Sequence, residues 1–323
     1  MTVTAPVPAP TVTLTANPTS VTSGSSSTLS WSSTNATSCA ASNGWSGAKA
    51  TSGTQSTGPL GSTTTYTLVC TGAGGSGSDS MTVVVSPATS ARFPLHTETG
   101  KRYLVDANGQ PFFVHGESAW ALIAQLTREE ADQYLEDRRL KGFNTVMVQL
   151  VVHGLLSSAP GYNPPYNIYG VAPFTVAGDF STPNEAYFAH AEYVIAKAAE
   201  KGLLVLLAPA YMGYQGGYQG WYADMIANGE AKLRGYGRYV ANRFRAYDNI
   251  VWLQGGDYNP PEKALLRAVA NGIRDIDTRW LHTFHGARGT SALGFLGSAE
   301  PWLGVNDIYT DENTVVANAF LEY

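Results

Sequence analysis

The first 87 residues of this 323-residue chain almost lack charge, since Lys49 and Asp79 hold only two of its 45 charged side chains. Long apolar runs are also missing. The longest, from Leu203 to Ala210, has about eight residues, too few to span a bilayer. The formal charge of −5 excludes a strongly basic nucleic-acid-binding protein. Residues 1–4 lack the basic start and apolar core of a secretory signal. What remains is a globular chain whose two parts differ in composition.

Cysteine is scarce: Cys39 and Cys70 are the only two, and both lie in the charge-poor segment. A disulfide between them would stabilise so small a domain by about 3–4 kcal/mol. The alternative is two unrelated buried thiols. Because disulfides persist in oxidising compartments, the bond predicts a protein that is secreted or on the cell surface.

Short alternating runs rich in β-branched residues recur in the first segment, between Gly, Ser, Asn and Pro. This period-2 pattern predicts a small β-sandwich domain over residues 1–87. A small-residue linker containing a proline, residues 86–91, then leads to a second domain over 92–323. The predicted strands are Thr11–Ala16, Ser27–Trp31, Thr64–Cys70 and Ser80–Val85.

Several stretches of the first segment resemble bacterial immunoglobulin-like modules found on secreted enzymes. The resemblance implies an immunoglobulin-like accessory or spacer module. The segment has no His and no Glu, so it offers little for catalysis. The matching stretches are Leu29-Ser30-Trp31, Thr37-Ser38-Cys39, Gly44-Trp45-Ser46-Gly47 and the alternating Thr64, Tyr66, Leu68 and Cys70.

After Arg92, apolar runs alternate with helical patterns, which predicts an α/β fold of the (β/α) barrel type. The runner-up, an open doubly wound sheet, would want a glycine-rich phosphate turn that residues 116–120 do not provide. A full barrel needs eight strands. Because we count six, either two strands have escaped the count or the barrel is incomplete, and we expect the latter. The six runs are Phe112–His115, Thr145–Val152, Leu203–Pro209, Asn249–Leu253, Leu281–His285 and Gly304–Tyr309.

The intervening helices carry end signals. Thr127 and Glu130 form a capping box, and Gly142 follows that helix. Asn184 and Gly202 bound the next helix. Two more are predicted over 229–247 and 261–277.

Polar side chains that follow the predicted strands are the candidate site residues, because barrel active sites lie at the carboxyl ends of strands. Asp257 is the candidate catalytic residue. Two glycines let the chain turn tightly before it, and shielding by Trp252 and Tyr258 would raise its pKa and make it an acid. The alternative is an Asp that caps the turn or the next helix. The candidate substrate-binding residues are Glu117, Trp120, Gln149, His153, Tyr211, Trp221, Tyr258, His285, Asn306 and Tyr309.

Each of these candidates has a structural alternative. Glu117 is either a second cleft carboxylate or a buried acceptor that fixes a loop. His153 and His285 either bind substrate hydroxyls or make structural hydrogen bonds. The six histidines are scattered and no His-Glu-x-x-His motif occurs, so we predict neither a metal nor another cofactor.

Aromatic residues crowd the long loops, where they alternate with Gly and Gln. Ring faces cover the apolar faces of sugars and amides bind hydroxyls, so this composition predicts a carbohydrate ligand. We expect Tyr211, Tyr214 and Trp221 to line the same cleft as Asp257. The alternative is that the rings fill the core of the loops.

An ordered set of stretches from residue 102 onward resembles the apiosidase-like glycoside hydrolases. The family implies a barrel that hydrolyses glycosidic bonds with two carboxyl groups, of which Asp257 matches the acid/base. The family's nucleophilic Glu would lie just after Tyr323, so we expect very low hydrolase activity from these residues alone. The stretches are 102–106, 109–113, Gly116–Trp120, 135–144, 187–188, 250–252, Gly255-Gly256-Asp257, 283–285, 302–303 and 309–310.

Together these features predict a secreted glycoside hydrolase that acts on side chains of plant or microbial polysaccharides. The alternative is a non-catalytic carbohydrate-binding or structural protein with a hydrolase-derived barrel.

Overall fold

The computed structural model of the chain describes residues 6–22, 24–86, 93–155, 163–298 and 300–310. Contacts divide the chain into two compact units, which we call the first unit, built on the strands before residue 87, and the second unit, built on the elements after residue 92. The predicted linker lies almost entirely outside the described residues.

The first unit consists of strands in two sheets, with orders β1-β3-β6 and β2-β8-β7-β4-β5. All four strands predicted from period-2 alternation are confirmed. The strands are β1 Thr11–Asn17, β2 Ser20–Thr22, β3 Thr28–Thr34, β4 Ser38–Asn43, β5 Gly47–Lys49, β6 Ser52–Ser56, β7 Thr64–Gly72 and β8 Gly75–Ser86.

The core of the first unit follows from the alternation along β7, where Tyr66, Leu68 and Cys70 are buried and the residues between them are not. Cys39 lies directly opposite Cys70 in the β4–β7 register, and the two form the predicted disulfide. This bond joins neighbouring strands of one sheet. In antibody domains the conserved disulfide joins the two sheets instead.

The second unit is built on a five-stranded parallel sheet of order β11-β12-β13-β14-β15, with helices between its strands. None of its described helices is long and apolar enough to cross a membrane. The elements are β9 Leu104–Val105, β10 Pro111–Phe112, β11 Gly116–Ser118, α1 Leu122–Gln125, α2 Arg128–Leu140, β12 Thr145–Gln149, α3 Glu185–Glu200, β13 Leu204–Ala208, α4 Tyr222–Arg243, β14 Ile250–Gly255, α5 Lys263–Arg274, β15 His282–His285, β16 Thr290–Ser291, α6 Ala292–Leu296 and β17 Ile308–Tyr309.

Each sheet face has its own apolar layer. Val148, Leu207 and Trp252 belong to the large core that also contains the buried helix residues. On the other face, Leu204 and Val251 cluster with residues that precede β11. Burial on both faces explains why the strands read as continuous apolar runs.

The helix-end signals are confirmed where they were strongest. The Thr127 amide donates to Glu130 Oε2 at 2.9 Å, and the Glu130 amide donates to Thr127 Oγ1 at 3.2 Å, which is the reciprocal capping box. The Asn184 side chain accepts from the Ala186 amide and begins α3. The predicted helix start at Gly229 coincides with a kink in α4, where Gly229 has non-helical angles (φ 68°, ψ 174°), and a further helical stretch begins earlier, at Tyr222.

The prediction of the first sheet strand was wrong by several residues. The apolar run at 112–115 does not enter the parallel sheet. Phe112 pairs with Leu104 in an antiparallel hairpin, and Phe113 is 81% exposed. The Asn144 side chain hydrogen-bonds the Phe113 carbonyl and the His115 amide, which holds this stretch outside the sheet. The sheet strand starts at Gly116, where a Cβ would lie 2.5 Å from the Thr145 carbonyl oxygen.

The sixth predicted strand was also wrong, since the parallel sheet of the described residues has five strands. Only Ile308–Tyr309 of that run is a strand, and it pairs antiparallel with Thr290–Ser291. The reason is a competing anchor: the Leu293 amide donates to Asn306 Oδ1 and the Ala292 amide to the Asp307 carbonyl. These bonds hold residues 306–307 at the start of α6.

Candidate active site

The turn after β14 presents Asp257 in a strained backbone conformation. Gly255, Gly256 and Asp257 all have positive φ angles, of 85°, 131° and 47°. A Cβ on Gly256 would lie 2.1 Å from the Tyr211 ring, and one on Gly255 would lie 2.5 Å from the Phe284 ring. The two glycines are therefore required by close packing as well as by φ. A non-glycine residue at positive φ costs free energy that its surroundings must supply.

Backbone hydrogen bonds from both neighbouring strands hold this turn. The Gly256 amide donates to the His285 carbonyl at 2.7 Å, from the end of β15. On the other side, the amides of Met212 and Gln215 donate to the carbonyls of Gly255 and Asp257. The position of the Asp257 carboxylate is thus fixed by three consecutive strands of the sheet.

The Asp257 carboxylate accepts hydrogen bonds from two side chains. Tyr211 donates its hydroxyl to Oδ2 at 2.6 Å, and His285 Nε2 lies 3.1 Å from Oδ1. A quarter of the Asp257 side chain remains exposed. Partial burial raises the pKa of Asp257, but the bonds from His285 and Tyr211 outweigh it and leave the pKa below its usual value. The predicted raised pKa was wrong, because Trp252 lies in the helix-side core and the real neighbours are hydrogen-bond donors.

His285 lies between two carboxylates. Its Nδ1 is 3.4 Å from Asp307 Oδ2, while its Nε2 faces Asp257. The side chain is only 8% exposed. Burial alone would lower the pKa of His285, but the hydrogen bonds to Asp257 and Asp307 raise it to about 9. At neutral pH the site therefore holds an imidazolium between two carboxylates.

Aromatic rings surround this charged group. Trp120 lies with its ring centre 5.6 Å from that of Tyr211 and 5.9 Å from that of His285. Tyr309 packs on His285 from another side at 4.8 Å, and 37% of it is exposed. Five of the predicted residues, Trp120, Tyr211, Asp257, His285 and Tyr309, are thus brought together at the carboxyl end of the sheet.

Glu117 is not part of this group. Its carboxylate accepts from Arg138 Nη1 at 2.7 Å and from the Tyr134 hydroxyl, both on α2. Since neighbouring residues of a strand point to opposite faces, Glu117 lies on the helix side of β11. The prediction of a second cleft carboxylate at Glu117 is wrong; the alternative, an acceptor that fixes structure, describes it.

His153 and Trp221 belong to a structural cluster. His153 Nδ1 lies 2.7 Å from the Tyr218 carbonyl oxygen, and its Nε2 lies 3.3 Å from Asp224. The hydrogen bond to Asp224 raises the pKa of His153. Trp221 is 2% exposed, packs edge-on against His153 and donates Nε1 to the Val151 carbonyl. The expectation that Trp221 lines the Asp257 cleft was wrong, because loop aromatics fill the core here.

The other predicted residues have local partners or lie beside the site. Tyr214 is 61% exposed, on the loop whose Gln215 amide bonds to Asp257. The ring of Tyr258 packs 5.0 Å from that of Tyr222. The Asn306 side chain accepts from the Leu293 amide. The amide of Gln149, at the end of β12, is fully buried and meets no hydrogen-bonding group among the described residues.

Asp307 is a residue of this site to which the sequence pattern assigned no role. It lies in the run mistaken for a sixth sheet strand, where it was only one of several polar residues. A sequence signal existed, since Asn306 and Asp307 interrupt the run at its centre. No group of three or more His, Cys, Asp or Glu side chains suited to a metal occurs in the part of the chain that the structure describes.

Comparisons with known proteins concern mainly the second unit. A family model described as the apiosidase-like catalytic domain matches residues 98–320. A solved structure described as a glycoside hydrolase is 31% identical over 66% of this chain and 45% of its own, with a TM-score of 0.55. A glycoside hydrolase family 5 structure from Bacteroides vulgatus is 28% identical over 66% of this chain and 44% of its own, with a TM-score of 0.56. The chain thus spans less than half the length of each of these two structures. No curated protein matches.

Proposed function

Because the chain belongs to the apiosidase-like family, we propose that its second unit hydrolyses glycosidic bonds and that Asp257 is the acid/base. The observation that carries the proposal is the Asp257 turn, a partly exposed carboxylate at the carboxyl end of a parallel strand. That end of the strands is where barrel enzymes place their chemistry. The strain and packing at the turn fix one carboxylate position, as proton transfer to a leaving oxygen requires.

An acid/base residue gives a proton to the leaving oxygen and later takes one from water. Asp257 is ionised at neutral pH, so it must first take up a proton. The imidazolium of His285 holds one 3.1 Å from Oδ1. Its transfer breaks the Nε2–H bond and forms an Oδ1–H bond. The products are a neutral imidazole and a carboxylic acid, and the net charge of the site does not change.

The substrate we propose is a sugar on the side chain of a plant or microbial polysaccharide. Support comes from the rings of Trp120 and Tyr309, which surround the charged group and offer apolar faces to a sugar. For the first unit, residues 1–87, we propose an immunoglobulin-like accessory module on a protein that is secreted or displayed at the cell surface. The Cys39–Cys70 disulfide supports an oxidising location.

A second candidate function is non-catalytic carbohydrate binding. Hydrolysis uses two carboxyl groups that face the scissile bond across an open gap. Among the described residues, the other carboxylate of this site is Asp307, and the imidazole of His285 lies between it and Asp257. That arrangement favours binding if no further carboxylate faces Asp257.

Aryl glycosides with good and poor leaving groups test the proposal. Because we expect very low turnover without the family's nucleophilic Glu, the assay uses a chain that also supplies that residue. There we expect Asp257→Asn to lower the turnover of poor leaving groups about 100-fold or more, while activated glycosides lose far less because they need no acid. Asp248→Asn is the matched control. It lies just before β14, at the opposite end of that strand, and its side chain is 43% exposed. Its turnover should stay within about two-fold, because its ion pair with Arg279 lies at the far end of the strand from Asp257.

Calorimetry with polysaccharide side-chain oligosaccharides separates the two functions. In the chain that also supplies the nucleophilic Glu, binding without turnover would support the second candidate. An equal loss for both leaving groups would contradict the acid role of Asp257. If the chain neither binds nor cleaves these sugars, both candidates are wrong.

A further inference from the structure

We propose that Asp307 is a positioning residue of this site, which holds the imidazole of His285 as a cation oriented toward Asp257. The inference rests on the proposed function for its meaning in catalysis, but its geometry stands apart from that function. Three side chains from separate elements form a row in space, with His285 in the middle: Asp257 after β14, His285 at the end of β15 and Asp307 before β17. The two contacts are 3.1 Å and 3.4 Å.

The two nitrogens of the buried imidazole face different carboxylates. Both ring nitrogens carry a proton at the same time only in the charged ring. Acceptors on its two sides therefore favour the imidazolium and fix the plane of the ring. With Asp257 alone, the ring could donate through Nε2 while Nδ1 lost its proton. Asp307 disfavours this neutral form of the ring, because the lone pair of a deprotonated Nδ1 would face a carboxylate.

Asp257 and Asp307 are the charged side chains that the described ion pairs place against His285. Tyr211 donates its hydroxyl to the Asp257 carboxylate. The rings of Tyr309 and Trp120 pack against the imidazole of His285. Arg288 lies three residues further along the chain, and its side chain is exposed. Burial would lower the pKa of His285, but the hydrogen bonds to Asp257 and Asp307 raise it.

The backbone at Asp307 is anchored without its carboxylate. Its carbonyl accepts from the Ala292 amide at 2.8 Å, and the neighbouring Asn306 side chain accepts from the Leu293 amide at 2.9 Å. A third of the Asp307 side chain is exposed. Asp307→Asn therefore removes the charge with little effect on the local chain path.

The test is the titration of the histidine side chains by nitrogen NMR on the 323-residue chain. In Asp307→Asn we expect the midpoint of His285 to fall by about one pH unit, a tenfold loss of proton affinity, as one opposite charge is worth at this distance. Asp307→Glu keeps the charge and should keep the midpoint within about 0.3 unit by the same argument.

Asp224→Asn is the matched control. Asp224 faces His153 at 3.3 Å and is 30% exposed, close to the 3.4 Å and 33% of Asp307. Asp224→Asn should lower the midpoint of His153 and leave that of His285 unchanged. Asp307→Asn should lower the midpoint of His285 and leave that of His153 unchanged. A purely structural role for Asp307 would move neither midpoint selectively.

An unchanged His285 midpoint in Asp307→Asn would overturn the proposal. So would a wild-type midpoint near the ordinary value of about 6.5, a result that does not depend on whether any variant folds. Neither measurement needs hydrolysis. Failure of the proposed hydrolase function would therefore leave the role of Asp307 intact, and failure of the Asp307 proposal would leave the hydrolase function intact.

Discussion

Replacing His285 with Gln should change how the stability of the second unit depends on pH. The pKa of His285 is about 9 in the folded chain and about 6.5 in an unfolded one. Between these values the folded state binds more protons, so the free energy of unfolding falls as pH rises. The stabilisation is complete below pH 6.5 and is lost as pH rises through 9. A difference of about 2.5 pH units corresponds to about 3 kcal/mol.

The measurement is urea unfolding of wild type and His285→Gln from pH 6 to 9.5, followed by tryptophan fluorescence, to which the second unit contributes five of the seven tryptophans. The wild type should lose about 3 kcal/mol across this range relative to His285→Gln. His153→Gln is the control. Because it keeps the imidazole between Asp257 and Asp307, most of the decline should persist. Parallel curves for wild type and His285→Gln would refute the assignment of the charged imidazole.

Three further changes test the fold. Replacing Cys39 and Cys70 with Ala should lower the free energy of unfolding of the first unit by about 3–4 kcal/mol, and two free thiols in non-reducing mass spectrometry would refute the bond itself. Gly256→Ala should cost at least about 2 kcal/mol in denaturant unfolding, whereas Gly289→Ala, with open space around it, should cost less. Glu117→Gln should cost about 1–3 kcal/mol by loss of its charged bond to α2, and sugar binding measured by calorimetry should not change.

The sequence predicted correctly those helix ends and strands that depend on interactions between residues close together in the chain. The capping box at Thr127 and the alternation around Tyr66 are properties of a few adjacent residues, and both are confirmed. The first and sixth sheet strands depended instead on distant partners. The Asn144 side chain holds residues 113–115 outside the sheet, and the amides at the start of α6 hold 306–307. Apolar composition cannot reveal such competing hydrogen bonds.

The candidate site divides in the same way. Asp257, His285 and Tyr211 were found because residues that end parallel strands meet at one edge of the sheet. Glu117 was misplaced although its strand carries the contrary signal: Gly116 and Ser118 share one face, so Glu117 must take the other. Tyr134 and Arg138, four residues apart on α2, form the matching polar face.

The protonation state of Asp257 shows most clearly what the sequence leaves open. Its position follows from one strand and two glycines, but its pKa depends on pairs of groups that the sheet brings together. Tyr211 comes from the end of β13 and His285 from the end of β15, so the two donors reach the carboxylate from opposite sides of β14. Apolar neighbours in sequence predicted a raised pKa, yet the donors across the sheet lower it. If Asp257 is the proposed acid, its proton must therefore come from a neighbour, because burial does not hold one on the carboxylate itself. Asp307 matters for that reason: it acts on the neighbour that holds the proton.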